Sequence, residues 1–167
     1  MKQAALPIPA QFLRDSSAMM RTDALVLDAA LRQSLVTVRS LGRRGLRVAA
    51  AETHDHAPAF ASRWCQRGLV FPAKEGTDAY QGILEYWLER TGARVLVASN
   101  DATIALLRRH RARLEPRVRV ALAPEPAMAI AISKEQTLAV ARRLGLRVPR
   151  EVIVRDSAEV TAALNDI

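Results

Sequence analysis

Two rhythms of apolar residues alternate along this chain. Short apolar blocks recur at Ala24-Leu25-Val26-Leu27-Asp28, Leu46-Arg47-Val48-Ala49-Ala50-Ala51, Gly68-Leu69-Val70-Phe71, Val95-Leu96-Val97-Ala98 and Val118-Arg119-Val120-Ala121-Leu122. Each reads as a strand, and the first, with four apolar residues in a row, has the mark of one covered on both faces. Between them the spacing becomes helical. Leu31, Leu35, Val38 and Leu41 form one stripe, closed by Gly42-Arg43-Arg44-Gly45, and Ile83, Leu84, Trp87 and Leu88 form another within Asp78–Thr91, stopped at Gly92. Ser99 or Asn100 is placed to cap a third helix that runs to about Leu114, ahead of Pro116. Pro124–Ile132 reads as a short helix, Ser133–Leu144 as a longer one, and Glu151-Val152-Ile153-Val154 as a new strand, with Ser157 capping a last helix.

Strands and helices alternating at this spacing imply right-handed βαβ units. The expected class is α/β, a three-layer, Rossmann-like, mostly parallel sheet, followed by the first helix and strand of a second unit. The expected boundaries are a tail at 1–22, the Rossmann-like domain at 23–132 and the second unit at 133–167. Pro7, Pro9 and Asp15-Ser16-Ser17 interrupt any regular pattern in the tail. In such a sheet ligands bind where strands end, which directs attention to the residues after Leu27, Ala51, Phe71, Ala98 and Leu122.

Composition narrows the function classes. At 167 residues with 50% hydrophobic content the chain can bury a core, and at 4% aromatic that core is aliphatic. A single cysteine, Cys65, excludes an internal disulfide. No apolar run reaches the roughly 18 residues of a membrane helix, and the N-terminus lacks a basic-then-apolar leader, so a soluble cytoplasmic protein is expected. The net charge of +8 invites a nucleic-acid partner. The arginines are scattered from Arg14 to Arg155, however, and no stacking aromatics interleave the densest cluster, Arg108-Arg109-His110-Arg111-Ala112-Arg113. A nucleic-acid partner is not expected.

Several constellations could carry chemistry. The turn after the first strand, Asp28-Ala29-Ala30, has none of the glycines that let a backbone close on a pyrophosphate, which argues against a nicotinamide site. Glu52 ends the second strand where a ribose-binding acid would sit. His54-Asp55-His56 with Cys65 lacks the paired ligands of a zinc site. Ser99-Asn100-Asp101 opens a helix at the mouth of the sheet and suits either capping or substrate contact. Lys134 is one of only three lysines, with Lys2 and Lys74, among 25 basic residues. It stands at the start of a helix, where a cation opposes the macrodipole. Ser133 and Gln136 flank it in a capping-box arrangement. An anion at that helix start would be held by free N–H groups and the lysine together.

The ordered set Leu41-Gly42-Arg43-Arg44-Gly45, Ser62-Arg63-Trp64-Cys65 before Val70-Phe71-Pro72, Val95–Asp101, and Ser133-Lys134 through Leu144-Gly145-Leu146-Arg147-Val148-Pro149 resembles the front end of ATP-grasp proteins. The branch it is most similar to holds carbamoyl-phosphate-synthase-like and biotin-carboxylase-like ligases. That resemblance spans about residues 24 to 160 and implies a pre-ATP-grasp domain followed by the start of an ATP-grasp domain. It implies that Lys134 contacts the ATP phosphates, and that Asp28, Glu52, Ser99, Asn100 and Asp101 lie near a small-molecule carboxylate. It implies ATP and Mg2+ as cofactors of the full-length protein, with none held tightly by this portion. Ser133 replaces the family's usual acid, and the second lysine, adenine hinge and magnesium-binding acids would lie beyond Ile167.

Two functions follow as expectations. One is the N-terminal part of a ligase that activates a carboxylate as an acyl phosphate for attack by an amine or thiol, not catalytic by itself. The other is a non-catalytic α/β module that binds a small anion or a partner. Apolar surface near the last helix suggests a homodimer or rearrangement of residues 133–167.

Overall fold

The computed structural model describes residues 21–152 and 154–166; the N-terminal tail lies outside the described residues. Five strands form one sheet: β1 (Ala24–Val26), β2 (Val48–Glu52), β3 (Cys65–Val70), β4 (Val95–Val97) and β5 (Arg119–Val120), in the order β3-β2-β1-β4-β5. All four pairings are parallel. The expected Rossmann-like α/β architecture is observed.

Side-chain alternation divides the core between the two faces of the sheet. Val26, Val48 and Ala50 point to one face, where Val38 of α1 (Arg32–Arg43) and the irregular segment carrying Ala57 and Ala59 cover them. Leu25, Leu27, Ala49, Ala51, Leu69 and Leu96 point to the other. There they meet Ile83, Leu84, Trp87 and Leu88 of α2 (Asp78–Thr91), all buried as the helical spacing requires. Leu106 and Leu107 of α3 (Asp101–Arg109) and Leu114 of α4 (Arg111–Leu114) complete that face. The sequence reading has one helix from Asn100 to Leu114. The structure breaks it at His110, whose backbone (φ −102, ψ 12) leaves the helical region. Leu107 and Leu114, seven residues apart, are both buried on either side of the break.

Two glycines are fixed by close approach. A Cβ on Gly42 would sit 2.5 Å from the Trp64 Cβ, so α1 reaches Trp64 only because position 42 has no side chain. A Cβ on Gly68 would meet the Phe60 ring at 2.7 Å. The turn after α1 shows why its glycine pair ends the helix. Gly45 (φ +80) donates to Gly42 O and Leu46 donates to Leu41 O, the paired bonds of a Schellman cap.

The edge strands differ from the sequence reading. β3 begins at Cys65, not Gly68, and its register with β2 shifts between Val48 and Ala49. Its first residues are only partly covered, so the apolar block that signals a doubly buried strand is missing there. β5 pairs over only two residues.

The chain divides into two compact units, the first through Leu122 and the second from Ala123. The second contains α5 (Glu125–Ala131), α6 (Lys134–Arg143), a 3-10 turn at Ser157–Glu159 and α7 (Val160–Asp166). Gly145 (φ +73) ends α6 with the same paired cap, donating to Arg142 O while Leu146 donates to Ala141 O. The strand expected at Glu151–Val154 is not formed at its described residues. A strand needs a ladder partner, and the described residues of this unit contain none. Asp156, not Ser157, caps the last helical segment, its Oδ1 accepting from the Ala158 and Glu159 amides.

Candidate functional site at the carboxyl edge of the sheet

The strand order reverses direction between β1 and β4, and the residues leaving these two strands face each other there. In open parallel sheets this switch point is where ligands bind. Asp28 leaves β1 with φ +58, a left-handed conformation that Asp tolerates better than most residues. Its carboxylate is buried and crosses the switch point. Oδ2 accepts from the amides of Ser99 (2.7 Å) and Asn100 (2.9 Å), and Oδ1 accepts from the Thr103 hydroxyl (2.7 Å). Ser34, in the first turn of α1, donates through Oγ to Leu27 O (2.8 Å) and lies 3.2 Å from Ser99 Oγ. Thus the β1–α1 and β4–α3 turns are locked together by side chains.

Glu52 adds a second lock. Its Oε2 accepts from the Ala30 amide (2.8 Å), and its Oε1 accepts from the amide (2.8 Å) and hydroxyl (3.1 Å) of Thr53. The Ala29 amide donates to Ala51 O and the Leu31 amide to Asp28 O. Every amide of the 29–31 turn is therefore consumed within the protein. In a dinucleotide fold these are the groups that would hold a pyrophosphate, so the argument against a nicotinamide site gains a structural reason.

What remains open lies one step further along. No side chain caps α1, and the amides of Arg32, Gln33 and Ser34 have no protein acceptor among the described residues. The next strand end differs: Asn100 caps α3, its Oδ1 accepting from the Ala102 amide (2.8 Å). Asp101 is exposed in the first turn of that helix. Behind them Tyr80 is buried against Phe71, the ring centroids 5.2 Å apart. Burial pushes its phenol pKa up, and the negative charges of Asp28, Glu52 and Glu75 push it the same way, against a hydrogen bond with Thr103. Tyr80 stays a neutral phenol across the working pH range and packs beneath the site.

Of the residues singled out in the sequence, the structure brings together Asp28, Glu52, Ser99 and Asn100, with Asp101 at the rim. Sequence reasoning missed Ser34 and Thr103, both buried. A signal existed: each is the third helical residue after a strand, where a short hydroxyl can turn back to the strand end. Lys134 belongs to the second unit. It is exposed at the first position of α6, and Ser133 Oγ accepts from the Gln136 amide (3.2 Å). The reciprocal arm of the capping box is replaced by a bond from the Ser133 amide to Ile130 O (3.1 Å). The Lys134 and Glu135 amides have no protein acceptor among the described residues.

Among the described residues no three His, Cys, Asp or Glu side chains converge as metal ligands. These residues do not fit a magnesium site. His54 is exposed, and His56 Nε2 stands 3.1 Å from Asp55 Oδ1 at the surface. Burial pushes the Cys65 thiol pKa up, which makes it a poorer nucleophile. No helix among the described residues is long and apolar enough to cross a membrane. A cleft of about 550 Å3 opens at the opposite, amino edge of the sheet, lined by Asp23, Arg47 and Arg94 among others. It lies away from the strand ends that this topology uses for ligands.

No protein-family model matches the sequence, and no curated protein sequence matches it. Solved structures do. N5-carboxyaminoimidazole ribonucleotide synthetase (PurK), determined with ADP, is similar with a TM-score of 0.62 at 11% identity, over 88% of this chain and 36% of that one. The biotin carboxylase domain of a single-chain bacterial carboxylase is similar with a TM-score of 0.60 at 17% identity, over 87% of this chain and 34% of that one. The ATP-grasp resemblance is borne out as a likeness of fold. The chain spans about a third of the length of the structures it resembles.

Proposed function

We propose that this chain is part of an ATP-dependent ligase that activates a carboxylate as an acyl phosphate, which an amine or thiol then attacks. The observation that carries this reading is the fold shared with two ligases, one of them determined with ADP. The carboxyl edge around Asp28, Glu52, Ser99, Asn100 and Asp101 contributes part of the substrate floor. Asp28 and Glu52 are positioning residues there, because their oxygens are spent on backbone amides and hydroxyls. The open amides at the start of α1 are the groups left to meet an anionic substrate. Lys134 makes one ATP-phosphate contact, supported by the unpaired amides beside it, with Glu135 as a local opposing charge. ATP would supply the phosphoryl group. Magnesium ligands come from outside the described residues, and this portion alone does not catalyse the reaction. The protein works in the cytoplasm.

The decisive test is K134A in the protein encoded by the whole reading frame, assayed for carboxylate-dependent ADP release. The KM for ATP is expected to rise about tenfold, the loss of one charge-assisted phosphate contact. An unchanged KM would remove Lys134 from the site, and a reading frame that stops at Ile167 would remove the ligase reading. Calorimetry of this chain with Mg-ATP should then find Kd no tighter than about 1 mM.

A second reading has an observation of its own. The uncapped α1 start, with three open amides beside Arg32, suits a small anion without any ATP chemistry. Tight binding of a dicarboxylate or phosphate by this chain alone, indifferent to K134A, would favour a stand-alone anion-binding module.

A further inference from the structure

Several arginines of the first unit are matched by acids. Arg47 and Arg94 meet Asp23, Arg113 meets Glu85, and Arg117 meets Glu89. The outer face of α1 has no such acidic partner among the described residues. Arg32, Val36, Arg39 and Arg43 fall at intervals of four, three and four residues, one exposed stripe on a helix that contains no acid. Two shallow grooves of about 370 Å3 and 360 Å3 adjoin there and share Arg39 and Arg43. Arg44 borders the first and Arg63 the second, and no acidic residue lines either. Arg44 is held by Ser40, and Arg63 lies over the Trp64 ring at 4.8 Å. Arg39 and Arg43 have no partner among the described residues. Like charges four residues apart on a helix cost about 0.2–0.5 kcal/mol. Arg43 is favoured by the C-terminal end of the helix dipole, whereas Arg39, in mid-helix, has no such compensation.

We propose that this face docks an acidic protein segment that places an apolar side chain between its carboxylates. Charge complementarity sets the sign of the partner, and Val36 sets its kind. Val36 is 63% exposed in the middle of the arginines. An apolar contact at that point gives nothing to a phosphate backbone but matches a Leu or Ile flanked by Glu or Asp. Trp64, the one aromatic in the grooves, already carries Arg63 over one face of its ring, which weakens it as a stacking platform. The first twenty residues of the chain are a poor occupant, with Asp15 against Lys2 and Arg14. A second copy brings the same surplus of eight positive charges. The arginine fork reads carboxylates two oxygens at a time, which favours a carboxylate-rich partner over a general counter-charge.

The test uses a synthetic peptide, Asp-Glu-Glu-Leu-Glu-Glu-Asp, titrated into the isotope-labelled chain at low salt and followed by amide resonances. Controls are the same peptide with Ser for Leu and a single-stranded DNA dodecamer. The expected result is shifts confined to residues 36–44 and 61–64, at least about threefold tighter for the Leu peptide, and about tenfold weaker in R39E/R43E. V36S should remove the preference for Leu while leaving the fold unchanged by circular dichroism. Tighter binding of the DNA, shifts elsewhere, no shifts at all, or a V36S variant that keeps the Leu preference would each overturn the proposal. So would concentration-dependent self-association that R39E/R43E abolishes, which would make a second copy the occupant.

Discussion

The two edges of the sheet use acids in opposite ways. At the carboxyl edge Asp28 and Glu52 are buried and bonded to backbone amides and hydroxyls, with no basic side chain among those partners. At the amino edge Asp23 meets two guanidinium groups, Arg47 (3.2 Å) and Arg94 (3.2 Å), and also accepts from the Arg47 amide at 2.9 Å. The first arrangement fixes turns in place without importing charge into the mouth of the sheet. The second ties three strand starts together at a surface that water and salt can reach. The carboxyl edge, where open parallel sheets place their ligands, is thereby kept rigid with its acids occupied, while the far edge is held by exchangeable ion pairs.

Asp28 is where this contrast is easiest to break. D28A leaves two amides and the Thr103 hydroxyl without their acceptor and puts alanine at φ +58. The expected loss is about 3 kcal/mol, since bonds to a charged acceptor are worth about 1.5–3 kcal/mol each but do not add. Chemical denaturation measures it. D28N should recover part of the loss, because its Oδ1 can accept from the Ser99 and Asn100 amides while its NH2 donates to the Thr103 hydroxyl, without the carboxylate charge. A loss no larger than that of D23N would erase the distinction between the edges.

The sheet itself was legible in the sequence, and so were the strand ends that it brings together. Doubly buried strands announce themselves by apolar blocks, and the α2 stripe Ile83, Leu84, Trp87 and Leu88 is fully buried as its spacing requires. The locks were not legible. Ala30 and Glu52 are 22 residues apart, and Asp28 and Ser99 are 71 apart, so their bonds exist only once the sheet has assembled. The same limit explains the Glu151–Val154 stretch. Its β-branched residues suit a strand, but strand formation depends on a neighbour that local composition does not specify.

Packing gives a second, smaller contrast. G42A forces a methyl against Trp64 and is expected to cost about 1–3 kcal/mol by overpacking. G82A, on the exposed side of α2 with nothing within 4 Å, should stabilise by about 0.5–1 kcal/mol. Thermal unfolding of the two variants should therefore move in opposite directions. A shift of both in one direction would mean that α1 does not approach Trp64 as closely as the structure has it.

The smallest effect belongs to Asp23, and its signature is pH. Its side-chain bonds to Arg47 hold its pKa at about 2, below the usual 3.8, with the Arg47 amide and the charges of Arg47 and Arg94 acting in the same direction. A carboxyl whose pKa is lower folded than unfolded stabilises the fold above the unfolded value, and that contribution disappears as pH falls toward the folded one. The Asp23 contribution is therefore complete above about pH 4 and lost between about pH 4 and 2. D23N should lose that contribution at neutral pH and remove that part of the acid slope, so the two proteins converge in stability as pH falls toward 2. Added salt should shrink the difference between wild type and D23N, because these pairs are reached by solvent. A D23N effect that salt leaves intact would mean that the amino edge is wired as firmly as the carboxyl edge, through the Arg47 amide and not the guanidinium groups.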